Sequence, residues 1–186
     1  MKKIIFLSVL TVISAAFVSP LWALDVSATA GSGSYQWTDS DSKGVFSDGN
    51  TFNVKVRVGL TKHFGLGYSY TSWKTESSLT PGLEYSWVSN SLLADYTFSK
   101  LLIFTPYVGG GISSYKNDIS GRIGAVPYSK SSSHNGLVFL GGVQMMLMRS
   151  IYVDYGVNSY YIFKSGDMTS DRQMMDRHFG IYFQIY

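Results

Sequence analysis

The sequence predicts an all-β fold, an eight-stranded antiparallel up-and-down transmembrane β-barrel. Three observations predict it. Apolar and polar residues alternate in eight segments, the connections between them are alternately long and short, and nothing after the first two dozen residues forms an apolar run long enough to cross a bilayer as a helix. A spanning helix needs about 20 such residues. The totals agree. Charged residues make up 15% of the chain and aromatic residues 16%, where a soluble domain has about 25% charged; charge has been exchanged for rings. A mean hydropathy of only +0.07 fits a barrel, in which every second residue meets lipid and the others do not.

The chain begins with a leader. Lys2 and Lys3 form a basic start, Ile4 to Val18 is apolar, and Ser19-Pro20-Leu21-Trp22-Ala23 reads as a cleavage region, so residues 1–23 are expected to be a cleaved signal peptide and 24–186 the barrel domain. With Lys2 and Lys3 set aside from the 15 basic residues, 12 acidic residues leave a net charge of +1. That balance gives no support for nucleic-acid binding. The absence of cysteine excludes disulfides and thiol chemistry.

The strands follow in order. Residues 24–37 form a weak first strand rich in small residues. The clearest is 51–60, where Phe52, Val54, Val56, Val58 and Leu60 alternate with Asn53, Lys55, Arg57 and Gly59. Successive strand side chains point to opposite faces, so one face is greasy and the other polar. The pattern recurs over 64–73, 85–98, 102–115, 134–147 and 150–163, and ends with Phe179, Ile181, Phe183 and Ile185 on one face. The connections at 38–50, 75–84, 116–133 and 164–176 are long and rich in Ser, Asp, Gly and Asn, whereas those near Thr61–His63, Ser99–Leu101 and Met148–Ser150 are short. Short turns on one side and long loops on the other are the arrangement of a membrane barrel, with the short turns and both termini in the periplasm. Rings cluster at both strand ends. Trp37, Trp73, Trp87, Tyr115 and Tyr161 lie near the long loops, and Phe64, Phe98, Phe104 and Tyr152 near the short turns. They are expected to form two aromatic girdles facing the membrane interfaces.

At this point a resemblance enters. Thr105-Pro106-Tyr107-Val108-Gly109-Gly110-Gly111 is similar to the strand-5 stretch of the small eight-stranded outer-membrane barrels, the group of the OmpA transmembrane domain, the OmpX/Ail proteins and the opacity-type barrels, and Leu140-Gly141-Gly142-Val143-Gln144 resembles their Gly-rich strand 6. The resemblance covers about 24–186. It implies a bacterial outer-membrane location, contact with outer-membrane lipids and lipopolysaccharide, a monomer, and a C-terminal aromatic signal read by the barrel assembly machinery. Phe179, Tyr182 and Tyr186 are the candidates for that signal. The apolar series Ile185, Phe183, Ile181, Phe179 runs one residue out of step with Tyr186, because Gln184 interrupts the family's alternation.

Alternation also predicts the interior. Eight strands leave a lumen just wide enough for side chains. Lys55, Arg57, Asp95, Gln144 and Asp154 are expected there as an ion-paired plug, with Arg57 near Asp95 and Asp154, and with Tyr107, Asn158 and Tyr182 adding hydrogen bonds, because a buried charge needs a partner. Such a cluster either fills and stiffens the barrel or gates a narrow path for ions or small solutes; the narrow lumen favours filling.

Chemistry is sparse. Some small outer-membrane barrels modify lipid A, as the PagL-type deacylase and the PagP-type palmitoyl transferase do. His134 stands beside Ser131, Ser132, Ser133 and Asn135, yet Gly136 occupies the position where the PagL-type pattern has its Ser. No enzyme activity is therefore expected. His63, His134 and His178 are scattered and make no zinc set. The acids Asp39, Asp41 and Asp48 lack calcium-loop spacing, and the methionines 145, 146, 148, 174 and 175 read as filler. No metal or cofactor is expected. Lys43, Lys116, Arg122, Lys130, Lys164 and Arg172 lie in or beside the long loops, placed to meet lipopolysaccharide phosphates or host glycans. The expected function is a non-enzymatic barrel whose four external loops contact a host, extracellular or envelope partner, with a narrow channel and a lipid A-modifying enzyme as the alternatives.

Overall fold

The computed structural model describes residues 25–77, 79–166, 168 and 170–185. The expected leader, 1–23, and the terminal Tyr186 lie outside the described residues. Eight strands, β1 (Asp25–Trp37), β2 (Gly49–Gly59), β3 (Phe64–Glu76), β4 (Leu83–Thr97), β5 (Phe104–Ile123), β6 (Val126–Met148), β7 (Ile151–Ile162) and β8 (Arg172–Ile185), pair in sequence order into a closed barrel. Every pair is antiparallel. The barrel closes where β1 runs against β8, from Val26 opposite Ile185 to Trp37 opposite Met174. Closure leaves no open sheet edge in the wall, so strands can cross lipid with their backbone groups paired.

Alternation sets the two faces. On β2, Phe52 and Val56 are exposed while Thr51, Asn53 and Arg57 are buried. On β8, Phe179, Ile181 and Phe183 are exposed while Asp176, His178 and Tyr182 are buried. The interior is therefore the polar face, the reverse of a soluble protein.

The short turns lie where the sequence predicts them. After β2, the Thr61 hydroxyl accepts the N–H groups of His63 and Phe64 at 3.3 and 2.9 Å. Between β4 and β5, Leu102 takes a left-handed φ of 59°. The long connections differ more from expectation. The segment 116–133 is not a loop: β5 and β6 stay paired from Lys116 opposite Ser133 to Ile123 opposite Val126, and turn only at Gly124-Ala125. Gly124 has φ 63°, which a two-residue hairpin turn requires and glycine supplies without strain. The reason for the difference is that both faces of this hairpin are mostly exposed, so no apolar alternation marks it as strand. β4 continues beside it as far as Leu83 opposite Gly121, and Lys116 and Asp118 form an exposed ion pair at 2.8 Å on it. β8 likewise begins at Arg172, inside the segment 164–176 expected to be loop.

In the first long connection a short helix, α1 (Ser40–Lys43), is capped by Asp39, whose carboxylate accepts the Ser42 N–H at 2.8 Å. The other Asp39 oxygen accepts the Gln173 N–H at 2.8 Å and the Asp41 carboxylate accepts the Ser170 hydroxyl at 2.7 Å, tying this connection to the last one. Beyond α1 the chain turns Phe46 into the barrel mouth, where it is 6% exposed.

Candidate functional site

The lumen is filled in three layers. Nearest the short turns lies an ion pair. Arg57 Nε donates to Asp95 Oδ1 at 2.7 Å, with both side chains buried. A second Arg57 nitrogen donates to the Thr97 hydroxyl at 3.3 Å. The guanidinium rests against Gly65, which pairs directly with Asp95; a Cβ at Gly65 would collide with it. This is why β3 carries glycine on its inward face here.

The middle layer is a hydrogen-bonded chain. Asp154 Oδ2 accepts the Tyr107 hydroxyl at 3.1 Å and faces His178 Nε2 at 3.6 Å. The other nitrogen of His178 lies 3.3 Å from Asp176 Oδ1. Asp176 also accepts the Asn158 backbone N–H at 3.1 Å and the Tyr160 hydroxyl at 3.4 Å, and Tyr160 in turn meets the Thr71 hydroxyl at 3.0 Å. His178 thus has a carboxylate at each ring nitrogen, an arrangement fully used only when both nitrogens carry protons. Gly156 makes room for the imidazole ring. The ammonium of Lys55 sits 4.7 Å above the Tyr107 ring, a cation–π contact. Gln144 is buried in register with Asp154.

The expected plug residues are therefore all placed in or beside the lumen, but not all as partners. Asp154 does not pair with Arg57; it pairs with Tyr107 and His178. Asp176, read as loop, and Tyr160 were not anticipated.

The third layer, toward the long loops, is aromatic. Trp37, Trp73, Trp87 and Tyr115 are at most 2% exposed. The Trp73 and Trp87 rings stack with centroids 6.0 Å apart, Trp37 meets Trp87 at 6.0 Å, and Phe46 covers Trp37 at 5.1 Å. Arg172 lies 4.6 Å above the Phe46 ring. These tryptophans and Tyr115 are not a girdle toward lipid. They share the inward face with Thr71, Ser89 and Ser113, and they fill the mouth of the lumen. Tyr152 departs from expectation in the same way. It lies on the inward side of β7, packs edge-on against Tyr182 at 5.3 Å and donates its hydroxyl to Gln184 at 3.1 Å. Phe64, Phe98 and Phe104 do face outward at the short-turn end, and Tyr161 stands on the outer face beside Phe163. Of the assembly-signal candidates, Phe179 faces outward and Tyr182 inward.

At the mouth His134 is buried, with the Ser132 hydroxyl 3.0 Å from Nε2 and the Ser165 hydroxyl 2.7 Å from Nδ1. Hydroxyls, not a carboxylate, orient this ring. Just outside, the Lys164 backbone N–H, helped by the Tyr161 hydroxyl, holds the Asp171 carboxyl below the usual carboxylate range. Among the described residues, no group of acids and histidines could hold a metal ion.

Three comparisons with known proteins bear on this arrangement. No curated protein matches the chain by sequence. Among solved structures, neisserial surface protein A is 19% identical with a TM-score of 0.64, over 88% of this chain and 97% of that one. Ail of Yersinia pestis, solved in complex with the heparin analogue sucrose octasulfate, is 17% identical with a TM-score of 0.59, over 87% and 99%. OprG from Pseudomonas aeruginosa is 12% identical with a TM-score of 0.57, over 88% and 97%. Identities this low speak for the fold alone. The outer membrane protein beta-barrel domain matches residues 5–183. With a closed eight-stranded barrel, a polar interior and a greasy outer wall, the chain belongs to the outer membrane protein beta-barrel family, and its place is the bacterial outer membrane.

Proposed function

We propose that the protein is a sealed, non-enzymatic surface barrel, with both termini in the periplasm, whose outer rim contacts a host, extracellular or envelope partner. The filled lumen carries this reading. Between the charged chain and the aromatic layer the interior leaves a cavity of about 20 Å³, bordered by Thr29, Asn53, Lys55, Tyr107, Asp154 and His178. That is room for about one water. A conduit would need a continuous path, and here the ion pair lies below the cavity and three indoles lie above it.

The rim supplies the contact surface. β6 pairs with β7 only from Gly136 onward, so over Val126–Asn135 it pairs with β5 alone. The Asn135 carbonyl accepts the Phe163 N–H on the β7 side at 2.8 Å. By alternation, Ser129, Ser131 and Ser133 present their backbone groups on that same side, and all three are exposed. An unpaired strand edge is matched by another extended polypeptide.

Single-channel recording of the refolded mature barrel in a planar bilayer tests the sealed lumen. Silence is expected, and a steady conductance would overturn the reading in favour of a narrow channel. Replacing residues 117–132 with a two-residue Asn-Gly turn tests the rim: cells displaying the shortened barrel should lose adhesion to host-cell monolayers that the full barrel supports.

A further inference from the structure

We propose that the β4–β5 turn is a membrane anchor: Leu101, Leu102 and Ile103 enter the acyl region of the leaflet at the short-turn end, and the barrel stands tilted, its β4–β6 side deeper in lipid there than its β2–β3 side. The turn breaks two rules at once. Leu101 and Phe104 exchange both backbone hydrogen bonds, at 2.8 and 2.9 Å, so Leu102 and Ile103 alone make the turn. Its first residue has φ 59°, a conformation that glycine normally supplies and a leucine adopts only under strain. Turn residues are also usually polar, yet Leu101, Leu102 and Ile103 are apolar and 65%, 90% and 45% exposed. The turn is not a loose appendage. The Ile103 carbonyl accepts the Met146 N–H at 3.0 Å, which builds it into the wall beside β6.

Lipid is the occupant because the turn continues the lipid-facing wall. Phe98 and Phe104 stand outward on either side of it, and Leu147 and Met148 are exposed at the neighbouring end of β6. Strand lengths agree. On β5 the outward apolar series runs from Ile112 to Phe104. With Leu102 added it spans about 34 Å along the strand, or about 24 Å of depth for a strand inclined by about 45°. That matches the height of an apolar band, about 25 Å. On β6 the outward series from Leu137 to Leu147 has the same length. On β2 it runs only from Phe52 to Leu60, roughly 19 Å of depth by the same measure. The β2–β3 turn that follows is polar, with Thr61 and Lys62 exposed. A belt that is taller on one side is accommodated by tilting. Lys100 and Arg149, the cations beside this apolar end, have stems long enough to carry their charge to headgroup level.

The test is the depth of each turn. The chain contains no cysteine, so single cysteines take a fluorescent label without background. Leu102→Cys, Met148→Cys and Lys62→Cys barrels are labelled and folded into phosphatidylcholine vesicles. Quenching is read from nitroxide-bearing acyl chains and from iodide placed on both sides of the bilayer. The labels at 102 and 148 should be quenched several-fold more by the acyl nitroxide than the label at 62, and several-fold less by iodide. A second variant removes the anchor without harming the turn. Leu102→Gly with Ile103→Asn puts glycine where φ is positive, so the hairpin closes without strain. In that background the label at 148 should become more open to iodide and the label at 62 less so, as the barrel rights itself. Equal access of iodide to the labels at 102 and 62, or a label at 148 that ignores the Gly-Asn turn, would overturn the proposal. A protein partner covering this turn in place of lipid would also leave the label at 102 open to iodide, because the vesicles hold no other protein. Conductance is a separate readout, so a conducting barrel with this quenching pattern would refute the sealed lumen and leave the anchor standing.

Discussion

The two ends of the lumen are closed by opposite means. Near the short turns, Arg57 and Asp95 meet at 2.7 Å where glycine on the neighbouring strand leaves room for the guanidinium. Near the long loops, Trp37, Trp73 and Trp87 pack face and edge, and their indole N–H groups find no partner among the described residues. The charged end depends on mutual satisfaction. Each ion is held by the other, and either alone is a buried charge without compensation. The aromatic end depends on volume. Its rings are held by contact area, and the polar atoms they carry are incidental. The difference teaches that an inward face in this barrel is not simply polar: it carries charge near the short turns and rings near the long loops, and Leu93, Val138 and Leu140 line the layer between beside Asp154 and His178.

The sharpest way to break that comparison is to remove one member at each end. Arg57→Met leaves Asp95 buried and alone and should lower unfolding free energy by about 3–5 kcal/mol. Adding Asp95→Leu should restore most of it, because two apolar residues need nothing from each other. Trp87→Ala should cost about as much, roughly 3–5 kcal/mol, but no second substitution nearby should rescue it. Urea unfolding in lipid vesicles measures both. A double substitution at 57 and 95 that remains as unstable as the single would show that the charged end, too, is held by shape. A smaller effect is expected in the middle layer. Tyr160→Phe removes the hydroxyl that joins Thr71 to Asp176 and should cost about 1 kcal/mol in the same measurement.

The sequence made much of this legible, and the misreadings have a common source. Strand number, order, short turns and the Arg57–Asp95 neighbourhood follow from period-two alternation, which is strong wherever one face meets lipid. The placement of Trp73 and Trp87 was open to the same logic. Trp73 shares parity with Gly65 and Thr71, and Trp87 with Ser91 and Asp95, all inward. Reading them as girdle gave position along the strand more weight than parity. Asp176 and the β5–β6 hairpin were hidden for different reasons. In the hairpin both faces of the strands meet water, so the apolar period disappears and Ser, Asn and Asp read as loop although the backbone stays paired. Asp176 is buried in the lumen, but the outward Arg177 ends the apolar series of Phe179, Ile181 and Phe183, so the strand reads as stopping short of it. With Asp176 assigned to a loop, the two-sided hold on His178 had no second carboxylate.

Outside the barrel the comparison reaches its weak limit. Lys74 and Glu84 form an ion pair at 2.8 Å on the outer face of β3 and β4, but both side chains are largely exposed. Water screens such a pair and both side chains give up rotamer freedom to make it. Lys74→Ala should therefore change unfolding free energy by no more than about 0.5 kcal/mol, and raising the salt concentration should remove even that difference. The Arg57–Asp95 pair has nearly the same nitrogen–oxygen distance, so distance cannot be what separates them. Measured side by side in low and high salt, the inner pair should hold its contribution and the outer pair should lose it. If both responded alike to salt, water would be reaching the inner pair, and the short-turn end of the lumen would not be sealed.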